Sequence, residues 1–209
     1  MSGRDVERTQ LRSHMVGGFT AGDAGSQVTL GGWVHRRRDL GGLIFVDLRD
    51  RSGIVQVSFG PDWTEVASLE AAHGLGHEDV ILVQGTVVLR PESARNADLE
   101  SGDIEIHATS IEVVSDARTP AIPVYIGPED ELPAEELRLQ HRVLDLRRRE
   151  VQDILMLRHR LILATRNYMD ALGFVELETP TLTKATPEGA RDYLVPSRLH
   201  KGEFYALPQ

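Results

Sequence analysis

Five segments of the chain alternate apolar and polar residues with a period of two, and a helical segment interrupts them after the third; no other feature restricts the fold as strongly. In the first, Val28, Leu30, Gly32 and Val34 alternate with Thr29, Gly31, Trp33 and His35. Ile44, Val46 and Leu48 form the apolar register of the second, and Val55, Val57 and Phe59 that of the third. Asp39-Leu40-Gly41-Gly42 and Asp50-Arg51-Ser52-Gly53 read as the turns between them, since Asp and Gly suit tight reversals. Residues 62–73 predict a helix with Asp62 as its cap and Trp63, Val66, Ala67 and Glu70 at helical spacing. Residues 80–90 and 104–114 predict strands four and five, separated by a polar loop.

The order β-β-β-α-β-β is that of an OB-fold, a small five-stranded barrel whose closure removes exposed edges and which often binds single-stranded nucleic acid. A chain of 209 residues with 41% hydrophobic content is long enough for this domain plus part or all of a second. Residues 1–12 read as a flexible leader, 13–115 as the barrel domain and 116–133, with Pro120, Pro123, Pro128 and Pro133, as a hinge. From residue 134 to 209 a second domain begins. Its period is helical over 134–149 and again over 150–172. Val151, Ile154, Leu155, Leu161, Ile162, Met169 and Leu172 fall on one stripe, and Gly173 is placed to end the helix. A strand-like "FVELETP" follows at 174–180.

Absence of cysteine excludes disulfides and thiolate sites, and the eight histidines lack ligand spacing, so no metal site is expected. No apolar run reaches the ~18–20 residues of a membrane helix, and the first 25 residues lack a signal-peptide centre. The expectation is a cytoplasmic protein with no membrane partner. Net charge is −9, but it is uneven: residues 1–60 carry eight Arg against six acids, whereas 61–120 carry three against twelve. Such a chain does not coat nucleic acid through broad phosphate neutralisation. A small patch at Arg36, Arg37 and Arg38 remains.

Opposite the predicted core lie Phe45, Asp47, Arg49, Gln56, Ser58, Glu105 and His107. An aromatic on a polar strand face can stack on a base, and amides or carboxylates beside it can read base edges. Two readings stay open for the arginines: a solvated strand end held by Asp39, Asp47 or Asp50, or a cluster whose planar donors meet phosphates and bases. Trp33 reads equally as core or rim, and His35 and His107 as packing or hydrogen-bonding groups. No nucleophile stands with a base, so no catalytic residue is assigned.

Three stretches, "GWVHRRRDLGGLIFVDLRDRSGIVQV", "RVLDLRRRE" and "GFVELETPTLTKATPEGARDYLVPSRLHKGEFYALPQ", resemble bacterial-type aspartyl-tRNA synthetases, which are class II enzymes; "TPEGARDY" looks like the aspartate branch. The resemblance implies an OB domain gripping the tRNA anticodon loop, then the truncated start of a class II antiparallel-sheet catalytic domain of a homodimer. Carried over by position, Phe45 is similar to the residue stacking on an anticodon base and Gln56 to one bonding the central uridine. Arg38 and Glu105 resemble further anticodon readers, as do Arg90 and Asn96 in a loosely aligning region. Pro180 belongs to a motif 1-like stretch that builds the dimer interface, and Glu188 resembles the glutamate of a mobile loop closing over L-aspartate. The family holds both a kind strict for the aspartate tRNA and a kind that also charges the asparagine tRNA; the sequence leaves the two open, with Leu40 leaning to the strict kind.

Family members also carry an aspartate-binding segment, motif 2 and motif 3, which hold ATP and Mg²⁺, and the 209 residues contain none of them. The expectation is therefore an aspartate–tRNA ligase portion that binds tRNA, binds no ATP or Mg²⁺ tightly and does not catalyse alone. Its cut catalytic segment is expected to leave apolar surface without partners. The alternative is a free-standing OB-fold RNA-binding protein with a vestigial class II segment.

Overall fold

The computed structural model describes residues 11–97, 99–124, 131–184 and 192–207. They belong to two compact units, Met1–Val151 and Gln152–Gln209. The first holds strands β1 (Gln27–Leu40), β2 (Leu43–Arg49), β3 (Ile54–Phe59), β4 (Val80–Leu89) and β5 (Ile104–Ser115), with helix α1 (Val66–His73) between β3 and β4. Short helices α2 (Glu135–Gln140) and α3 (Arg142–Asp145) follow. Helix α4 (Arg149–Ala171) and the hairpin β6 (Tyr193–Pro196) and β7 (Phe204–Leu207) complete the elements.

The five strands close into a barrel in the order β1-β2-β3-β5-β4, with β4 pairing back onto β1. Only the β3–β5 contact is parallel. Closure gives each barrel strand a neighbour on both sides, with β3 and β5 joined at Val57–Ile106 and Ser58–His107. The apolar registers all point inward. Leu30, Val34, Ile44, Val46, Leu48, Val55, Val57, Phe59, Ile81, Val83, Ile104 and Ile106 are fully buried and pack as one core. Each such side chain contributes about 1.5–3 kcal/mol by leaving water, before chain entropy is counted.

Several local expectations need correction. The first turn is shorter than expected: β1 runs past Arg38 through Asp39 to Leu40, and Gly41 and Gly42 alone make the turn, at φ +70° and +99°. Positive φ at both central residues suits the twist of a two-residue hairpin, and glycine adopts it without a Cβ penalty. Helix α1 begins later than expected, with Glu65 at the cap position and no capping side chain. Asp62 is thus not the cap, because Thr64 and Trp63 hold the preceding turn: Gly60 N–H donates to Thr64 Oγ1, and Trp63 Nε1 to the Ser58 carbonyl. The buried side of α1 carries Ser68 and Ala72, while Val66 is exposed.

Trp33 settles as a half-buried rim residue: the Arg147 guanidinium lies 4.9 Å from its ring centroid. Arg147 also reaches the buried Glu78, which Arg49 grips from the barrel at 2.5 Å. In the proline-rich stretch, Ile122 and Val124 are buried, and Ala117 N–H donates to Asp79.

In the second unit, Gly173 does end α4, at φ +83° with its N–H on the Asp170 carbonyl. The segment 174–180 forms no strand: it is exposed and has no ladder partner among the described residues. Helix α4 buries none of its residues, and its predicted apolar stripe lies open, with Ile154 and Leu161 each 65% exposed.

Candidate nucleic-acid interface

The outer surface of β1, β2, β3 and β5 carries the site, and a backbone irregularity builds it. Inward residues on β1 are even-numbered up to Val34, so strict alternation would turn Arg36 and Arg38 toward the core. A bulge between Val34 and Arg36 shifts the register, pairing Arg36 with Asp47 and Arg38 with Phe45. The extra residue, His35, thereby moves Arg36 and Arg38 to the outer face. Phe45 in turn pairs with Ser58, and Ser58 with His107. Asp47 stands opposite Gln56.

These pairings assemble a continuous polar chain. Arg38 Nη2 donates to Asp47 Oδ1 at 2.8 Å and to Gln56 Oε1 at 3.1 Å. Gln56 Nε2 donates to Glu105 Oε2 at 2.8 Å. The other oxygen of Glu105 takes the Ser58 hydroxyl at 3.4 Å and lies 3.1 Å from His107 Nε2. A carboxylate only accepts, so that imidazole nitrogen carries the hydrogen. Trp63 closes the row, stacked on His107 with centroids 4.2 Å apart and planes 12° from parallel.

Sequence reasoning treated this face as open and polar, and the structure is tighter. Ser58 is 1% and Gln56 9% exposed, because the bonded neighbours and Trp63 cover β3 from outside. Gln56 is therefore the floor of the site, bonded to the partly exposed Arg38, which pairs with the half-buried Phe45 on β2. Strand alternation could not find Trp63, which arrives from the turn before α1. Gly60 is the local trace of it, since a Cβ there would lie 2.6 Å from the Trp63 ring.

The remaining expected residues are dispersed. Arg90 is buried at 5% exposure, with Nε donating to the Ile104 carbonyl at 2.8 Å, while its Nη2 has no hydrogen-bond partner. Burial holds its guanidinium below the ordinary value, against the opposite pull of Glu105 and Asp47. Asn96 lies in the loop before β5, where its main chain bonds Gly102 and Leu99. Pro180 is exposed in the second unit. Glu188 lies outside the described residues. His35 and His107 both make hydrogen bonds, as expected; burial and then Arg49 lower the His35 pKa. The bonded row of Arg38, Gln56 and Glu105 beside a half-buried aromatic can stack a base and present donors and acceptors to its edge.

Comparison with known proteins gives this geometry a family. Residues 28–114 match the model for an OB-fold nucleic acid binding domain, and residues 134–209 that for class II tRNA synthetases of the D, K and N group. An aspartate–tRNA(Asp/Asn) ligase of Syntrophomonas wolfei is 53% identical over 207 residues, covering 99% of this chain. The chain belongs to the aspartyl-tRNA synthetase family. An aspartate–tRNA ligase of Bacillus licheniformis is 52% identical over 198 residues, or 95% of the chain. In each case the match spans 33% of the relative, so the chain corresponds to about a third of the length of these family members. The asparaginyl-tRNA synthetase of Pyrococcus horikoshii, solved with asparaginyl-adenylate, superposes with a TM-score of 0.72 at 26% identity, over 90% of this chain and 40% of that one.

Proposed function

We propose that this chain acts within an aspartate–tRNA ligase, where its barrel grips the anticodon loop of the tRNA. The observation that carries the reading is the convergence of Arg38, Phe45, Gln56 and Glu105 on one barrel face. Phe45 stacks on a splayed base, Gln56 bonds the central uridine, and Arg38 and Glu105 contact the neighbouring bases. Arg90, buried after β4, and Asn96, in the loop before β5, are further candidates carried over by position alone. The partner is a tRNA accepting aspartate.

The complete ligase would join L-aspartate to ATP with release of pyrophosphate, then pass the aspartyl group to the terminal adenosine of the tRNA. Glu188 would close over the bound aspartate. Among the described residues no group of three or more His, Asp or Glu could hold a metal ion, so no step through Mg²⁺ is assigned to them. The exposed apolar stripe of α4 and Pro180 supply a surface suited to a homodimer. No described helix is long and apolar enough to cross a membrane, which is compatible with a cytoplasmic setting.

Anticodon stem-loops test the reading. The chain is expected to bind the aspartate stem-loop and to lose about 1–3 kcal/mol when the central uridine is replaced. Equal affinity for a loop of unrelated sequence would count against it. Relatives of near-equal identity carry both the aspartate and the aspartate/asparagine designation. Leu40, exposed at the end of β1, leans to the strict kind by resemblance alone, and comparing stem-loops with the aspartate and asparagine anticodons decides between the two. By themselves these 209 residues should not support aspartate-dependent ATP–pyrophosphate exchange, and measured exchange would contradict this.

A further inference from the structure

The Gln56 amide is held from both ends by charge. Its oxygen faces the Arg38 guanidinium, and its nitrogen faces the Glu105 carboxylate. Each of these groups is itself held from behind. Asp47, its side chain 14% exposed, takes the same Arg38 nitrogen that bonds Gln56. His107, fixed under Trp63, and Ser58 hold the far oxygen of Glu105. Turning the amide over would point its oxygen at a carboxylate and its N–H groups at a cation, so the charges permit one orientation.

Orientation matters because of what remains for a ligand. A primary amide has two N–H donors and two acceptor lone pairs, and the two clamping bonds use one of each. One donor and one acceptor are left, in a fixed order at the floor of the site. Uridine presents an acceptor, O4, beside a donor, N3–H; cytidine presents a donor, N4–H, beside an acceptor, N3. The two pyrimidines are similar in shape and opposite in this pattern. An amide fixed one way round accepts one and opposes the other, whereas an amide free to turn accepts both.

We propose that Asp47 is a positioning residue for base discrimination, holding Arg38 so that the Gln56 amide faces the RNA in the single orientation that takes uridine and rejects cytidine. His107 does the same work at the opposite end through Glu105. This rests on the assignment of Gln56 as a base reader. It assigns Asp47 and His107 no direct contact with RNA.

The test measures dissociation constants of the full chain for two anticodon stem-loops that differ only by uridine or cytidine at the central position. Asp47→Asn is expected to shrink the uridine-over-cytidine ratio by about tenfold, the scale of one lost bidentate pattern, with a smaller fall in uridine-loop affinity. Asp47→Glu should restore much of the ratio. His107→Phe, which keeps a ring under Trp63 and removes the bond to Glu105, should also shrink it. Thermal unfolding of each variant reports whether the barrel is intact. Equal weakening toward both loops, or an unchanged ratio in folded Asp47→Asn and His107→Phe, would overturn the proposal. Gln56→Ala separates the underlying assignment: if it leaves the ratio intact, Gln56 is not the reader and the positioning role falls with it.

Discussion

Barrel and second unit are built from equally apolar stretches and end up in opposite states. In the barrel, each apolar register meets four others across a closed sheet, and its side chains reach zero exposure. Among the described residues of the second unit, Ala206 alone is buried, while Ile154, Leu157, Leu161 and Tyr168 stand 65% exposed or more. Period-two and period-3.6 patterns each promise a buried face, but a pattern supplies only half a core. The barrel brings its own second half by curling the sheet onto itself; α4 has an apolar stripe and nothing described that covers it.

The contrast can be broken most sharply by truncating one side chain in each unit. Phe59→Ala, at zero exposure, should cost about 3–5 kcal/mol in urea unfolding, whereas Leu161→Ala on α4 should change it by less than about 0.5 kcal/mol. Similar losses at the two positions would mean that α4 is covered after all.

Gly85 offers a smaller effect confined to the barrel. A Cβ there would lie 2.4 Å from the His107 carbonyl oxygen, at the β4–β5 register shift, so Gly85→Ala should cost about 1–3 kcal/mol and displace His107 from Trp63. Tryptophan fluorescence and unfolding midpoints would register it. An unperturbed midpoint would show that the strands can separate there without loss.

The smallest expected effect is a pH dependence. Burial lowers the His35 pKa in the folded protein below its ordinary 6.5, so the unfolded chain takes up the proton first as pH falls. The contribution is complete above that ordinary value and is lost as pH falls below it toward the folded value. His35→Asn should therefore flatten the decline of the melting temperature between about pH 7 and about pH 5 relative to the unsubstituted chain. An identical decline in both would remove His35 as a cause.

Where the sequence was readable, the reason is geometric. Strand period is tied to sheet burial, so Ile44, Val55 and Ile104 could be assigned inward, and with them the five-strand order and the outward set. What escaped depended on departures from that period. One extra residue at His35 reverses the face on which Arg36 and Arg38 emerge, and no composition signal marks a bulge there. Gln56 and Ser58 are outward as read, yet they are buried: Trp63, which alternation does not place, stacks on His107 beside Ser58, and the side chains of Arg38 and Glu105 close on Gln56. Arg90 is a candidate contact by resemblance alone, and alternation gives no sign that its Nε bonds the Ile104 carbonyl. "FVELETP" has strand composition, but a strand also needs a neighbour, and among the described residues 174–180 has none.

The central claim is that the outer face of the barrel, centred on Phe45, holds the anticodon. It is tested most directly by the dissociation constant of the aspartate anticodon stem-loop for the chain and for Phe45→Ala. Loss of one base–aromatic stack predicts weakening by about 1–3 kcal/mol with the barrel's unfolding midpoint little changed. An unchanged dissociation constant would place the RNA elsewhere and contradict the account.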